Sequence, residues 1–240
     1  FGTLAALYPG RVDLGLGRAP GTDQATLQAI RTSAGAAERF PQEVMELMHW
    51  FAPADEPGYV RAWPACGAEV DFWILGSSQF GAMLAAELGL PYGFASHFAP
   101  DYLDEALHLY RSRFKPSAQL QAPRAMIGVN VVCADTSVEA RRLFTTAQMS
   151  FCGIFRGVRG LSQPPIDDIG TYWTPREEAQ VSRMLGCAVV GTPAEVKAGL
   201  SALQERTGAD EFIIVTDIWD PAARRRSLAL TAEAWGLQVE

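Results

Sequence analysis

Short apolar runs alternate along the chain with longer segments in which apolar residues recur at helical spacing. Nearly continuous apolar runs that contain β-branched and aromatic residues are typical of strands buried on both faces of a parallel sheet. We therefore predict five strands, at residues 12–17, 71–76, 92–95, 126–132 and 211–215. Strands that alternate with helices indicate βα units around a parallel sheet, which is an α/β fold.

The segments between the runs carry helix signals. One apolar stripe is formed by Leu103, Leu107, Tyr110 and Phe114. The sequence Thr-Pro-x-Glu at 174–177 and again at 192–195 predicts two capped helix starts. Five strands suit an open, doubly wound sheet, whereas a closed barrel needs eight, so the count favours the open sheet unless strands precede Phe1.

Residues 156–173 break the alternation. The segment is rich in glycine and proline and has no clear periodicity. Loops of this length are uncommon unless they are functional or disordered. We interpret it as a mobile lid over an active site, and a solvated insertion without a role is the alternative.

The composition narrows the possible functions. The 240 residues carry a formal net charge of −7, which argues against a nucleic-acid-binding protein because such proteins need a basic face. No stretch approaches the ~20 apolar residues of a membrane span, and no signal-peptide pattern opens the chain. The four cysteines form no CxxC pair, so we expect no metal site and four buried thiols in a reducing cytoplasm. We treat residues 1–240 as a single domain.

The first candidate site follows the first predicted strand. Gly17 ends this strand and would let a ligand approach the backbone, and Arg18 offers several donors to a phosphate. A helix cap at Thr22 or Asp23 comes next. Gly15 and Gly17 invite comparison with a dinucleotide-binding loop, but Pro20 occupies the place of the third glycine. A structural turn with a surface arginine is the alternative.

The second candidate site follows the second predicted strand. Leu75 and Gly76 end that strand, and Ser77 and Ser78 lead into a helix. Free backbone N–H groups, small hydroxyls and the positive end of a helix favour an anion. The segment is not a hydrolase nucleophile elbow, because Phe80 stands where that motif needs glycine. Simple helix capping by Ser77 or Ser78 is the alternative.

The third candidate is His97, which follows the third predicted strand. In a barrel this end of the strands carries the chemistry. A histidine there can bond a ligand or act as an acid or base. A structurally bonded loop histidine is the alternative.

Together these segments resemble the bacterial luciferase-like monooxygenases, and most closely the luciferase family oxidoreductases of group 1. The resemblance covers almost the whole chain, and its first stretch is the most specific. The matching stretches are FGTLAALYPGRVDLGLGRAPGTD at 1–23, LGSS at 75–78, AAELGLP at 85–91, ASHF at 95–98, VGTP at 190–193 and DE at 210–211.

The resemblance implies a (β/α)8 TIM-type barrel. The five predicted strands would be its C-terminal βα units, and its first three strands, with an active-site histidine after the second, have no counterpart here. A barrel without those strands would leave sheet edges exposed. We therefore expect residues before Phe1, or a partner that covers the gap.

The resemblance also implies reduced FMN as cosubstrate, O2, a small organic substrate, a separate flavin reductase and a homodimer. The residues expected to bind the cofactor, mostly its phosphate, are Gly17, Arg18, Leu75, Gly76, Ser77, Ser78 and Gly81. The family often has serine at the position of Gly81, so that here only the backbone N–H would contribute. His97 is the expected catalytic residue. A deazaflavin-dependent oxidoreductase of the same fold and a non-catalytic flavin-binding protein remain alternatives.

Overall fold

The computed structural model describes residues 1–19, 24–30, 35–53, 61–158 and 160–237. The chain divides into two compact units, one made of Phe1–Phe94 with Glu105–Arg124 and the other of Ala95–Asp104 with Ala125–Glu240. The predicted helix cap at Thr22 or Asp23 lies outside the described residues.

The first unit is built on three parallel strands, β1 (Asp13–Gly17), β2 (Asp71–Gly76) and β3 (Tyr92–Phe94). β1 pairs with β2 and β2 pairs with β3, so that Gly17 lies opposite Leu75, and Leu75 opposite Gly93. The helices of this unit are α1 (Gly2–Leu7), α2 (Gln24–Ala29), α3 (Ala36–Phe51) and α4 (Gln79–Leu88).

Small side chains let α4 pack closely in the first unit. Ala82, Ala85 and Ala86 are fully buried. The helix ends at Gly89, whose φ of 64° lies in the left-handed region that favours glycine. The next helix, α5 (Leu103–Arg113), begins in the sequence of the second unit and continues in that of the first.

The stripe predicted on α5 is confirmed. Leu103, Leu107 and Tyr110 are buried, and Phe114 follows the last residue of the helix with its ring 5.7 Å from that of Tyr110. The Tyr110 hydroxyl donates to the carbonyl of Leu90 at 2.9 Å, which satisfies a polar group that burial would otherwise make costly.

The second unit is built on β4 (Ala125–Cys133), β5 (Val189–Gly191) and β6 (Glu211–Val215). The first part of β4 pairs in parallel with β6, and its last three residues pair in parallel with β5. The helices are α6 (Ser137–Phe155), α7 (Pro175–Met184), α8 (Pro193–Thr207) and α9 (Pro221–Trp235). Two short 3-10 turns lie at Pro100–Tyr102 and Ile169–Thr171.

All five predicted strands are confirmed, with bounds shifted by one residue at most. The structure adds β5, which the sequence analysis missed. This strand has three residues and pairs with Val131–Cys133, at the end of β4. An apolar run of three residues is too short to show a periodicity. β4 and β6 pair directly along five residues, so β5 is an addition at one end rather than a strand between them.

Segment 156–173 is tied to its own unit by hydrogen bonds. The Arg156 guanidinium binds both carboxylate oxygens of Glu177, at 2.7 and 3.1 Å. Ser162 donates to Asp217 at 2.9 Å, and the Thr145 hydroxyl accepts from the backbone N–H of Ile166 at 2.9 Å. The role of the segment as a mobile lid stays a prediction.

Three of the four cysteines are buried, and the prediction of four is wrong for Cys66, which is partly exposed. Within the described ranges no three His, Cys, Asp or Glu side chains are grouped as a metal ion would need. The same part of the chain contains no helix whose length and hydropathy would suit a membrane span.

Candidate functional site

The first candidate segment places Arg18 against the start of α4. Arg18 directly follows β1, and the Cζ atom of its guanidinium lies 4.1 Å from the centroid of the Phe80 ring. Phe80 is the second residue of α4. The structure therefore brings the predicted arginine and the second candidate segment together within the first unit.

The two glycines of β1 differ in how much space a side chain would have at their positions. A Cβ atom at Gly15 would lie 2.7 Å from Cδ1 of Leu75, so the end of that side chain would have to move to admit it. At Gly17 the nearest atom would be the Leu75 carbonyl oxygen at 3.6 Å, an ordinary contact. Leu75 itself is 37% exposed. A side chain at Gly15 would thus displace the Leu75 side chain, whereas one at Gly17 would make only ordinary contacts with the described residues.

The N-cap side chain of α4 does not bond to the first turn of the helix. Its N-cap is Ser78, which has extended backbone angles and makes no capping hydrogen bond. The first N–H groups of any helix have no partner within the helix. The alternative of simple capping by Ser77 or Ser78 therefore does not hold for Ser78, whose hydroxyl does not satisfy the N–H groups of the first turn.

Tyr92 supports the turn between β2 and α4 by a hydrogen bond and by packing. Its ring is fully buried, and its hydroxyl donates to the carbonyl of Ser78 at 3.1 Å. A Cβ atom at Gly81 would lie 3.2 Å from Cε2 of Tyr92, and one at Gly76 would lie 3.7 Å from the Tyr92 hydroxyl. Burial raises the pKa of Tyr92 far above its ordinary value. The neutral phenol therefore remains a hydrogen-bond donor at all physiological pH values.

His97 belongs to the second unit and lies against β4. A side chain at Gly128 would overlap the Nδ1 atom of the His97 ring. The amide of Asn130 donates to the backbone carbonyl of His97, and the hydroxyl of Ser96 donates to the carbonyl of Gly128 at 2.7 Å. These bonds hold the segment after β3 against the strand.

The His97 ring is held by packing rather than by a polar partner. Its Nδ1 atom is buried and has no hydrogen-bond partner in the described part of the chain. Burial lowers the pKa of His97 below its ordinary value. The imidazole is therefore neutral at pH 7 and can accept a proton or a hydrogen bond.

Sequence reasoning missed the residues that support the predicted ones. Phe80, Tyr92, Gly128 and Asn130 contact predicted site residues, but each does so across a turn or between elements. Phe80 and Tyr92 carried one usable signal, because an aromatic residue directly beside a Gly-Ser turn or a strand end can support it. No short-range pattern pointed to Gly128 or Asn130.

The chain is similar to known proteins over most of its length. The family model described as luciferase-like monooxygenase matches residues 1–211. A protein of Escherichia coli (strain K12) named luciferase-like monooxygenase is 47% identical over 234 residues, which cover 97% of this chain and 70% of that protein. A crystal structure of apo-MsnO8 is 31% identical, with a TM-score of 0.83, and the match covers 100% of this chain and 73% of that one.

More distant structures share the fold alone. A type II Baeyer-Villiger monooxygenase from Pseudomonas putida in complex with FMN is 18% identical, with a TM-score of 0.60, over 99% of this chain and 74% of that one. An F420-dependent secondary alcohol dehydrogenase is 14% identical, with a TM-score of 0.65, over 98% of this chain and 72% of that one. These likenesses confirm the predicted α/β fold with parallel strands of the TIM-barrel type. The described residues hold fewer strands than the eight of a closed barrel.

Proposed function

The chain belongs to the luciferase-like monooxygenase family, and from this premise we propose that it is a flavin-dependent monooxygenase that uses reduced FMN and O2 on a small organic substrate. The single observation that supports the flavin assignment most is the contact between Arg18 and Phe80, at the start of a helix without a side-chain cap. A cation and free N–H groups together favour a phosphate group.

The residues at this place fit a phosphate in three respects. The backbone N–H groups at the start of α4 donate no hydrogen bond to the Ser78 hydroxyl. Gly76 and Gly81 have no side chain that would fill the turn, and Tyr92 packs against the side where a Cβ would point. Arg18 has no carboxylate partner among the described residues. In this proposal Gly17, Leu75 and Ser77 contribute backbone and small-side-chain contacts.

When bound, reduced FMN supplies the electrons that activate O2, which no side chain can do. The protein binds the phosphate through Arg18 and the first turn of α4, and so orients the cofactor. His97, neutral at pH 7 because burial lowers its pKa, accepts or returns a proton on the substrate side. Segment 156–173 limits the access of water as a lid. A flavin reductase supplies the reduced cofactor, and the enzyme is a homodimer.

Substitution of Arg18 tests the phosphate assignment. We expect Arg18→Ala to weaken FMN binding about 10- to 100-fold, because a charge-assisted hydrogen bond is lost. Riboflavin, which has the same ring system without the phosphate, should bind wild type and variant equally. An unchanged dissociation constant for FMN contradicts the assignment, and FMN binding without O2-dependent turnover would indicate a non-catalytic flavin-binding protein.

A second candidate function is hydride transfer with a deazaflavin. The fold likeness to an F420-dependent secondary alcohol dehydrogenase is the observation that favours it. Both cofactors carry a phosphate beyond the ring system, so the anion site does not separate them. Parallel titrations with reduced FMN and with F420 do: we expect the tighter binding, and O2 consumption in the presence of substrate, with FMN.

A further inference from the structure

The Arg18 side chain contacts the ring of Phe80. The guanidinium lies over the ring at 4.1 Å from Cζ to the centroid. Arg18 makes no hydrogen bond or ion pair with another residue of the described part of the chain. Among the described residues, the Phe80 ring therefore determines where this exposed guanidinium lies.

An aromatic ring holds an arginine in a way that suits anion binding. The attraction acts between the positive charge and the electron-rich face of the ring, so it consumes no N–H donor. A carboxylate in the same place would neutralise the charge and compete with a phosphate for the donors. A ring thus reduces the motion of the guanidinium and leaves its charge and its donors available.

Phe80 also belongs to the turn that the arginine faces. It is the second residue of α4, so its own N–H is one of the groups without an intrahelical partner. Its ring is half-buried and lines a surface groove with a volume near 320 Å³. The groove is completed by Pro41, Met83, Leu84, Glu87 and Arg113.

We infer that Phe80 is a positioning residue, whose ring places the Arg18 guanidinium beside the open start of α4 so that both bind one phosphate group. The inference rests on the proposed function. It explains why an aromatic residue stands in the first turn of this helix, half-exposed, where a smaller or polar residue would meet the needs of the helix alone.

Replacement of the ring by an aliphatic side chain tests the inference. We expect Phe80→Leu to weaken FMN binding about two- to fivefold, the size of an exposed cation–π contact. Riboflavin binding should not change, and Phe80→Tyr should restore wild-type FMN affinity because it keeps the ring face. Arg113→Ala is the matched control, since it removes a cation from the same groove without touching Arg18, and we expect no change in FMN affinity.

The double variant separates this inference from the proposed function. If Phe80 acts through Arg18, Phe80→Leu should have no further effect on FMN binding in an Arg18→Ala background. Loss of affinity in Arg18→Ala but not in Phe80→Leu overturns the inference and leaves the proposed function intact. No loss in Arg18→Ala overturns both. An equal loss for riboflavin in Phe80→Leu also overturns it, because the ring would then act on the flavin or on the fold.

Discussion

The helix starts of the two units differ in how their first N–H groups are used. In the second unit, α7 and α8 begin with Thr174 and Thr192, and each forms a capping box with a glutamate three residues later. In the first unit, α4 begins with Ser78, which makes no capping bond. The residue three positions later is Gly81, where the other two helices have Glu177 and Glu195.

The two kinds of helix start leave different groups available to a ligand. A capping box satisfies two backbone donors and places a carboxylate where an anion would otherwise bind. At Gly81 there is no side chain at all, and a Cβ would lie 3.2 Å from the ring of Tyr92. The start of α4 thus gives up the stability of a cap and keeps donors that a ligand can use.

The largest expected effect comes from giving α4 the glutamate of the other helices. Gly81→Glu adds a carboxylate to the first turn of α4, near the proposed phosphate site, and we expect FMN to bind on the order of 100-fold more weakly because like charges repel. Gly81→Gln is the matched control, with the same shape and the same contact with Tyr92 but no charge. Equal losses in both variants, measured by flavin fluorescence, would show that crowding rather than charge is responsible.

The next effect concerns the hydrogen bond from Tyr92 to the turn before α4. Tyr92→Phe removes the hydrogen bond to Ser78 and leaves that carbonyl without its partner, so we expect the free energy of unfolding to fall by about 1 kcal/mol. FMN affinity should fall with it, because the turn loses its support. Tyr110→Phe also removes a buried hydroxyl bond in the same unit, to Leu90. It should lower stability and leave FMN affinity unchanged. Equal losses of FMN affinity in both variants would contradict a specific role of Tyr92 at the turn.

A smaller effect separates the two kinds of helix start by stability alone. Thr192→Ala removes a side-chain cap, and we expect urea denaturation to show a loss of about 1 kcal/mol. Ser78→Ala removes a hydroxyl that makes no capping bond, and we expect a change below about 0.5 kcal/mol. A larger loss for Ser78→Ala than for Thr192→Ala would reverse the comparison.

The smallest effect is the pH dependence of a capped start. Hydrogen bonds from Ser137 and Thr192 lower the pKa of Glu195 from 4.5 to about 2. A folded-state pKa below the unfolded one contributes stability above pH 4.5, and this contribution is lost as the pH falls from 4.5 towards 2. Wild type should therefore lose its advantage over Glu195→Gln in that interval, as followed by thermal unfolding. A constant difference between the two proteins across the interval would exclude the linkage.

The sequence predicted the elements whose signals are local. The caps at Thr174 and Thr192 were predictable because donor, acceptor and proline stand within four residues. The stripe that includes Leu107 and Tyr110 was predictable because helical spacing is a short-range property. β5 was not, because three residues carry no period and its pairing with β4 crosses more than fifty residues of chain.

The candidate site was predictable as a set of residues but not as an arrangement. Arg18 and the turn at Gly76 were found separately, each from its glycines. The pairing of β1 with β2 brings them together, and the Arg18 guanidinium then contacts the Phe80 ring about sixty positions away. The same holds for Tyr92, whose role under Ser78 follows from the parallel register of β2 and β3. Tertiary packing sets these contacts, and no local pattern encodes them.

The backbone N–H resonances at the start of α4 test most directly whether a flavin phosphate binds there. FMN and riboflavin are titrated separately into isotopically labelled protein, and the amide shifts of Gln79, Phe80 and Gly81 are compared with those in the first turns of α7 and α8. We predict large shifts at α4 with FMN, much smaller ones with riboflavin, and none at the two capped helices. Equal shifts with both flavins, or none at α4, would contradict a phosphate site at this helix.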